Sequence, residues 1–426
     1  MDHTSTKYRK KQFTLVVIFF PAFLISCNQS STENGIDIVV FNQNNFDLSH
    51  HSLIVDLNDQ PETNWIKNNM IVGRTGNNNV LPIQVIDPNS FHAGRRLSIR
   101  IDLKAESSLD ILLRKKTDSD SVSSENQTLA ELWYKTGGHF ENNEYVGGSE
   151  FKSFRSLRVP DECTDHSYFI KYEGPGWESD KIGYRLYLDW RNAIDIYGKK
   201  VDTIVLPFVG QDGYESYHEM ADWGMDILKV GNSLGIGSLG YWDGIKANRV
   251  AETDSVLCTI GESGALFSEV LIDYYGWKIN NTSIDLYTSL SIKAGSRATK
   301  YSIRYTGEPD HLCTGIVKSE NTEFFNSKND SGWNYMATWG NQSLADDMLG
   351  MAIIYRTKEF ARLAEDEYSH VVIFNPGEGD LEYYFLAAWE KEPDGIKTKE
   401  DFLNYLDQQT KLLNNPVEIQ VLHNKK

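Results

Sequence analysis

Apolar and polar residues alternate along several short stretches of the chain, and this alternation predicts β-strands. In residues 97–103 every second residue is apolar, and these residues would share one face: Leu97, Ile99, Ile101 and Leu103. Other stretches rich in β-branched and apolar residues predict strands at residues 52–57, 80–86, 255–260, 286–293, 301–305, 371–374 and 417–421.

Helical patterns are few. One is predicted over residues 358–366, and a second opens at Thr398, where Asp401 is spaced as the acid of a capping box. Many strands, few helices and glycine-rich turns favour a mainly β, sandwich-type fold. The pattern predicts one β domain over residues 36–426 and leaves open whether residues 36–114 form a separate sandwich.

The N-terminus has the layout of a signal peptide, with a basic start and a short apolar run over residues 13–25. The run is too short to span a bilayer, and its end, Leu24-Ile-Ser-Cys27, looks like a lipobox. We therefore predict a signal peptide over residues 1–26, lipidation of Cys27, a polar tether over residues 27–35 and an anchor in the outer membrane. An ordinary signal peptide with a chance cysteine and an uncleaved anchor are the alternatives.

The chain is acidic, with 42 Lys and Arg against 60 Asp and Glu, a net charge of −18. Such a charge argues against general nucleic-acid binding. It also means that an anionic substrate needs a local group of cations, or a metal ion, in its pocket. Besides Cys27, the cysteines are Cys163, Cys258 and Cys313, so one disulfide is possible and its pairing is open.

The first candidate segment for chemistry covers residues 182–189, where a strand would place Arg185, Tyr187 and Asp189 on one face. Arginine and tyrosine together are costly to bury without partners and suit a cleft that takes a carboxylate. The alternative is a surface strand in which Arg185 pairs with Glu178 or Asp180.

A second segment collects ionisable residues within a short span: Tyr217, His218, Asp222, Asp226 and Lys229. A histidine can act as a base near neutral pH, and a tyrosine hydroxyl beside a cation can donate or accept a proton. A divalent metal on His218 with Asp222 or Asp226, joined by His139 or His166, is an open alternative. No cofactor is predicted with certainty.

These residues also carry a family resemblance. The segments Trp177-Glu-Ser-Asp180 with Tyr184-Arg185, and His218-x-x-x-Asp222-Trp-Gly-x-Asp226-x-Leu-Lys-Val-Gly231, resemble a lipoprotein family of formerly unknown function from polysaccharide-utilisation loci of Gram-negative bacteria. That family includes the ulvan oligosaccharide dehydratase. The resemblance implies a galactose-mutarotase-like β-supersandwich. It also implies elimination of water across carbons 4 and 5 of a terminal glucuronate or iduronate linked to rhamnose 3-sulfate.

On chemical grounds we assign roles within these segments. Arg185 would pair with the uronate carboxylate, His218 would be the base, and Tyr217 or Tyr184 would be the acid. The predicted substrate-binding residues are Arg191 and Lys229 for anionic groups, Trp177 and Trp223 as stacking platforms, and Glu178 of the same motif as Trp177. The competing hypotheses are a non-catalytic glycan-binding lipoprotein and a polysaccharide lyase or sugar epimerase of the same fold.

Overall fold

The N-terminal strands form a small sandwich. A five-stranded sheet and a three-stranded sheet share one apolar core, which includes Ile38, Val40, Leu97, Ile99 and Leu113. The predicted strands at residues 52–57, 80–86 and 97–103 are confirmed within it. The strands are β1 (Ile36–Phe41), β2 (Leu48–Asp56), β3 (Ile71–Thr75), β4 (Val80–Leu81), β5 (Ile83–Ile86), β6 (Arg96–Leu103) and β7 (Ser108–Lys115).

The next segment holds short hairpins and the sheet that carries the candidate motifs, here called the motif sheet. This sheet has the order β17-β16-β15-β14-β8. The strands are β8 (Thr128–Glu131), β9 (Trp133–Tyr134), β10 (His139–Glu141), β11 (Glu144–Val146), β12 (Lys152–Ser153), β13 (Ser156–Arg158), β14 (Gly176–Ser179), β15 (Ile182–Leu186), β16 (Ile194–Lys199) and β17 (Gly224–Asp226). Short 3-10 turns lie at Lys171–Glu173, Leu206–Phe208 and Ser216–His218.

The remaining strands build the main sandwich. A nine-stranded sheet has the order β13-β20-β21-β22-β23-β30-β27-β26-β25, and another five-stranded sheet has the order β19-β18-β24-β29-β28. The strands are β18 (Ile236–Trp242), β19 (Ala247–Arg249), β20 (Ser255–Ser263), β21 (Phe267–Ile279), β22 (Thr282–Lys293), β23 (Ala298–Tyr305), β24 (Leu312–Val317), β25 (Thr322–Asn326), β26 (Trp333–Asn341), β27 (Met348–Arg356), β28 (Phe360–Glu365), β29 (Ser369–Phe374), β30 (Asp380–Trp389) and β31 (Glu418–Leu422).

Two layers of sheet enclose the main core. The nine-stranded sheet is one layer. The motif sheet and the five-stranded sheet that contains β18 form the other layer, and they adjoin through a parallel bridge between Ile194 and Gly235. Side chains interdigitate between the layers, as where Tyr184 meets the edge of Phe385 with 5.3 Å between ring centroids. The mainly β, stacked-sheet prediction is confirmed, because alternation along so many strands leaves apolar faces that only a second sheet can bury.

The chain contains one α-helix among the described residues, α1 (Lys399–Asn414). The predicted start at Thr398 is confirmed, because its hydroxyl accepts a hydrogen bond from the Asp401 N–H at 3.1 Å. The predicted helix at residues 358–366 is wrong. After a 3-10 turn at Thr357–Glu359 the chain forms β28, which pairs with β29, so tertiary pairing overrides the weak helical preference.

The computed structural model describes residues 35–57, 66, 70–118, 120, 125–214, 216–309, 311–375, 377 and 379–422. Residues Gly35–Lys426 form one compact unit, in which β31 pairs with β1 and so joins the last strand to the first. The predicted signal peptide, the lipidated Cys27 and most of the tether lie outside the described residues. Within the described part, no helix is long and apolar enough to cross a membrane.

Candidate functional site

Arg185 lies on β15 directly opposite Asp195 on β16. The predicted alternation is confirmed over β15, since Tyr184 faces the main core and Arg185 faces the other side of the motif sheet. That other side is not an open cleft, however. It is covered by an aromatic cluster that includes Tyr172, Tyr197, Leu206 and Tyr217. Arg185 is only 1% exposed.

The guanidinium of Arg185 is fully engaged. It donates to Asp195 Oδ2 at 2.7 Å and to Asp226 Oδ2 at 2.8 Å. It also donates to the hydroxyls of Tyr187 at 2.7 Å and Tyr217 at 2.8 Å, and to the carbonyl of Tyr172 at 3.4 Å. The expectation that Arg185 pairs with a substrate carboxylate is therefore not supported, because no N–H group is left to form that pair. Arg185 instead positions the groups around it.

Two carboxyl groups share this one cation. Burial, reinforced by the charge of Asp195, raises the pKa of Asp226 well above its ordinary value. A buried arginine can neutralise one carboxylate, so the second is favoured in its protonated form. Burial also raises the pKa of Tyr217 to about 12, although Arg185 opposes the shift. The cluster therefore presents protonated oxygen groups near neutral pH.

His218 lies at the rim of this cluster, on the Ser216–His218 turn. Its Nδ1 is 3.4 Å from Asp226 Oδ2, and its side chain is 46% exposed. Its ring packs against that of Tyr217, with 4.6 Å between centroids. Burial and the charge of Arg185 lower the pKa of His218 from its ordinary 6.5. At neutral pH the imidazole is uncharged, which is the form that a general base requires.

The backbone next to the cluster is strained. Five residues adopt positive φ angles, which side chains other than glycine disfavour: His166 (56°), Tyr168 (56°), Tyr172 (38°), Glu173 (68°) and Asn192 (37°). Such strain persists only where the surrounding structure enforces it, and it concentrates at functional sites. This observation is independent of the charges, and it marks the same part of the molecule.

Arg191 builds a second polar group beside the first. Its guanidinium pairs with Glu173 and Asp165 at 2.8 Å each and with Asp189, and it lies 4.0 Å above the ring of Tyr187. Since Tyr187 also contacts Arg185, this ring joins the two groups. Arg191 thus lies next to the site, as predicted, but its charge is already matched by three carboxylates.

A set of metal-ligand types occurs here, although not the predicted one. Ligand atoms of Asp165, His166 and Glu173 lie within 4.8 Å of one another. His166 was among the predicted ligands, whereas Asp165 and Glu173 were missed, because left-handed backbone brings them together and spacing does not reveal that. Asp226, predicted as a ligand of a metal with His218, is held by Arg185 instead.

Several predicted site residues are structural. Tyr184 is fully buried, and its hydroxyl donates to the Arg297 carbonyl at 2.7 Å and accepts from the Ala387 N–H at 3.1 Å. Trp177 is also fully buried and donates to Thr299 Oγ1 at 2.9 Å. The roles of catalytic acid for Tyr184 and stacking platform for Trp177 are therefore corrected, because both side chains lie between the two layers, away from solvent.

Glu178 is likewise an interior residue rather than a substrate contact. It is fully buried, pairs with the equally buried Lys199 at 2.7 Å and accepts hydrogen bonds from the Val205 and Leu206 N–H groups. A buried carboxylate requires such partners. Glu178 therefore fixes the segment that covers Arg185, and Lys199 is the partner that the sequence did not identify.

The other predicted residues lie at the surface. Lys229 and Asp222 are exposed. Trp223 is half-buried and makes a T-shaped contact with Tyr197, at 6.1 Å between centroids. His139 pairs with Glu141 at 2.6 Å on the β10–β11 hairpin. The structure thus brings together Arg185, Tyr217, His218 and Asp226. It confirms that Tyr187 lies on the side of Arg185, as the alternation predicted, and it adds Asp195, which lies opposite Arg185 on β16.

The remaining cysteines form no disulfide. Cys163 is half-buried and Cys258 and Cys313 are buried, each with a free thiol. Burial raises the pKa of the Cys163 thiol to about 12, so this thiol is protonated and unreactive at neutral pH.

A family model matches residues 40–419, nearly the whole of the described chain. The chain belongs to the family described as domain of unknown function DUF4861. Membership covers the motif sheet and both sandwiches, so the candidate site lies wholly inside the family domain. No curated protein matches the chain.

Two solved structures are similar at a low level. One is an α-mannosidase from Enterococcus faecalis V583, with 10% identity and a TM-score of 0.44 over 92% of this chain and 46% of that chain. The other is a protein in glycosyl hydrolase family 38 from Enterococcus faecalis, with 9% identity and a TM-score of 0.42 over 92% of this chain and 48% of that chain. The chain spans about half the length of each.

Proposed function

We propose that this protein is a carbohydrate-active enzyme that eliminates water across carbons 4 and 5 of a terminal uronate on ulvan-type oligosaccharides. The observation that supports this proposal is the half-exposed, uncharged His218 held against the buried Arg185–Asp226–Tyr217 cluster. The sequence resemblance to the family of the ulvan oligosaccharide dehydratase supplies the substrate class.

In the proposed reaction His218 takes the proton from carbon 5, and the electron pair forms the double bond to carbon 4. The carbon 4–oxygen bond breaks, and the departing hydroxyl receives a proton and leaves as water. Tyr217 is the proposed proton donor, because its ring packs against His218 with 4.6 Å between centroids and its pKa keeps it protonated. Its side chain is 2% exposed and its hydroxyl contacts Arg185 at 2.8 Å, so this role requires the substrate to open the cover of the cluster. The exposed Lys229 is the proposed contact for the carboxylate or sulfate of the substrate.

The test uses purified protein and ulvan oligosaccharides with a saturated uronate at the non-reducing end. Ultraviolet absorbance of the conjugated product and oligosaccharide mass are followed together. Rising absorbance with loss of one water and unchanged chain length is the expected result. Rising absorbance with shortening would make the enzyme a lyase. No change, with EDTA-treated and metal-supplemented samples equally inactive, would overturn the proposal and favour a glycan-binding module.

The comparison of EDTA-treated and metal-supplemented samples has a structural reason. Asp165, His166 and Glu173 offer three ligand atoms close to one another, and a divalent ion there would add positive charge for an anionic sugar. Arg191 now holds both carboxylates, so a metal ion would have to displace it. We therefore propose elimination without a resident metal. Loss of activity in EDTA that is restored by a divalent ion would contradict this.

We also propose that Cys27 anchors the mature protein to the outer membrane by covalent lipid. The lipobox-like sequence before Cys27 supports this proposal. Expressed from its full sequence in a Gram-negative host, the protein should fractionate with membranes and incorporate labelled palmitate. The Cys27→Ser variant should do neither. A variant that stays in the membrane fraction would mean an uncleaved apolar anchor instead.

A further inference from the structure

A cavity of about 580 Å³ lies on the outer face of the nine-stranded sheet. Its floor is formed by β21–β23, β27 and β30, and its walls are formed by β2 and helix α1. None of its lining residues belongs to the Arg185 cluster or to the Arg191 group. It is here called the basic cleft, and it is a separate feature of the molecule.

The basic cleft concentrates positive charge in an acidic protein. Its lining includes Arg96, Lys293 and Lys300 together with three histidines, whereas its only acidic lining residue is Asp47. Burial, reinforced by Lys300, lowers the pKa of Lys293 to about 8. Burial, reinforced by Lys293, lowers the pKa of His51 to about 3. His51 is therefore uncharged at neutral pH, whereas the positive charges of Lys293 and Lys300 repel each other, and a bound anion would relieve this repulsion.

The acids around the basic cleft already have partners. Asp47 pairs with Lys104 at 2.7 Å, outside the lining. Glu269 lies 3.3 Å from His92 and accepts a hydrogen bond from Ser289. Glu382, which also lies outside the lining, pairs with Lys300 at 2.5 Å and with Arg356 at 2.9 Å. Asp47 and Glu382 are therefore engaged elsewhere, whereas the charge of Glu269 also acts on Arg96, together with those of Asp56 and Glu262.

Two cations of the cleft, Arg96 and Lys293, form no close ion pair within the described part of the chain. The Nε and Nη2 atoms of Arg96 are buried without a hydrogen-bond partner, and Lys293 forms no ion pair or hydrogen bond with a described residue. Buried guanidinium donors without partners are costly. They are retained where a ligand supplies the acceptors, since a carboxylate or sulfate can accept two parallel hydrogen bonds from arginine.

The floor of the cleft adds hydroxyl groups. Ser291 and Ser302 lie on β22 and β23, on the same face as Lys293 and Lys300, and Tyr384 lies on the adjoining strand β30. Hydroxyls both donate and accept hydrogen bonds, so a surface of this kind suits a ligand that carries many hydroxyls of its own. A volume of about 580 Å³ falls within the range of small-ligand sites.

We propose that the basic cleft binds the carboxylate or sulfate of an anionic saccharide, with Arg96 and Lys293 as its cationic contacts. The proposal of an anion site depends only on the residues of the cleft. The proposal that the anion belongs to a saccharide rests on the proposed function. Its position away from His218 makes it a second site, which would hold a neighbouring segment of the substrate or a separate chain of the same chemistry.

Binding is tested by calorimetry on the purified protein with three probes: sodium sulfate, glucuronate and, as the neutral match, glucose. Glucuronate and sulfate should bind, and glucose should not. Lys293→Gln and Arg96→Gln should each weaken binding of the anions at least tenfold. The control Lys278→Gln removes an exposed lysine from the same sheet and should bind as the unmodified protein does. Equal affinity in all variants would overturn the proposal.

The His218→Ala variant separates this proposal from the proposed function. It should bind glucuronate in the cleft with unchanged affinity even if elimination is lost or was never present. If the same substitution abolished binding, the anion site would be at His218, and the basic-cleft proposal would fall.

A stability measurement distinguishes anion binding by Lys293 from a purely structural role of this residue. Lys293→Met removes a half-buried charge that has no ion pair among the described residues, so the melting temperature should rise while sulfate binding is lost. If Lys293 served packing alone, the melting temperature would fall and binding by the remaining folded protein would persist.

Discussion

The Arg185 cluster and the basic cleft differ in how completely their cations are partnered. Arg185 is surrounded by two carboxyl groups and two tyrosine hydroxyls that use its donors. Arg96 and Lys293 line a cavity, where two donor atoms of Arg96 are buried without a hydrogen-bond partner and Lys293 forms no ion pair with a described residue. A cation with complete partners fixes its surroundings, and a cation without partners is available to a ligand. We therefore assign positioning to Arg185 and ligand binding to the cleft.

Arg185→Leu should have the largest effect. It leaves Asp195 and Asp226 buried without a cation, and breaking a buried ion pair in this way costs about 3–5 kcal/mol. We expect the free energy of unfolding, measured with urea, to fall by that amount and activity to disappear. Arg185→Lys keeps the charge but not the forked geometry, so it should recover part of the loss. An unchanged urea midpoint for Arg185→Leu would mean that the cluster is not held by this cation.

His218→Ala should affect the reaction and leave the fold almost intact. A general base contributes about 10²–10⁴-fold, so the elimination rate should fall by at least 100-fold. Because the side chain is half-exposed, the free energy of unfolding should change by less than about 1 kcal/mol. His139→Ala is the matched control, since His139 is exposed and pairs only with Glu141 among the described residues. Retained activity in His218→Ala would remove the base from the proposed mechanism.

The pH dependence of kcat/KM tests the role of His218 at the Arg185 cluster. The pKa of His218 is lowered from 6.5, and the base must be uncharged. Activity should therefore be complete at neutral pH and fall as the pH drops through a pKa below 6.5. If the His218→Ala variant retains any activity, its kcat/KM should no longer decrease in this acidic pH range. An acid limb centred above 6.5 would contradict the assignment.

Thr398→Ala should have the smallest effect and should act on the cleft. The Thr398 hydroxyl caps α1, and losing an N-cap costs about 1 kcal/mol. Because Tyr405 and Gln408 of α1 line the cleft, loosening the helix should weaken anion binding slightly and leave the reaction rate at His218 unchanged. Thr398→Asp, which keeps a capping acceptor, should restore both stability and binding. A changed reaction rate with unchanged anion binding would contradict this prediction, because it would mean that α1 affects the His218 site rather than the cleft.

Predictability from sequence differs between the two regions. His218, Tyr217, Asp226 and Arg185 could be selected because they fall in two short segments with unusual ionisable content. The alternation already places Tyr187 on the face of Arg185, and Asp195 follows once β15 and β16 are paired in register. Arg96 and Lys293 could not be selected, because they stand in ordinary amphipathic strands far apart in the chain and meet only across the gap between sandwiches.

The sequence alone determined the mainly β fold, the capped helix at Thr398 and the alternation around Arg185, because each follows from local periodicity or capping chemistry. Tertiary structure decided which alternating face is accessible. Tyr184 and Trp177 were expected at a site and are core residues, since a second layer of sheet covers them. It also decided that residues Phe360–Glu365 form a strand and that the N–H groups of Arg185 all have hydrogen-bond partners within the protein. Strand neighbours and partner charges come from distant parts of the chain, and local pattern does not encode them.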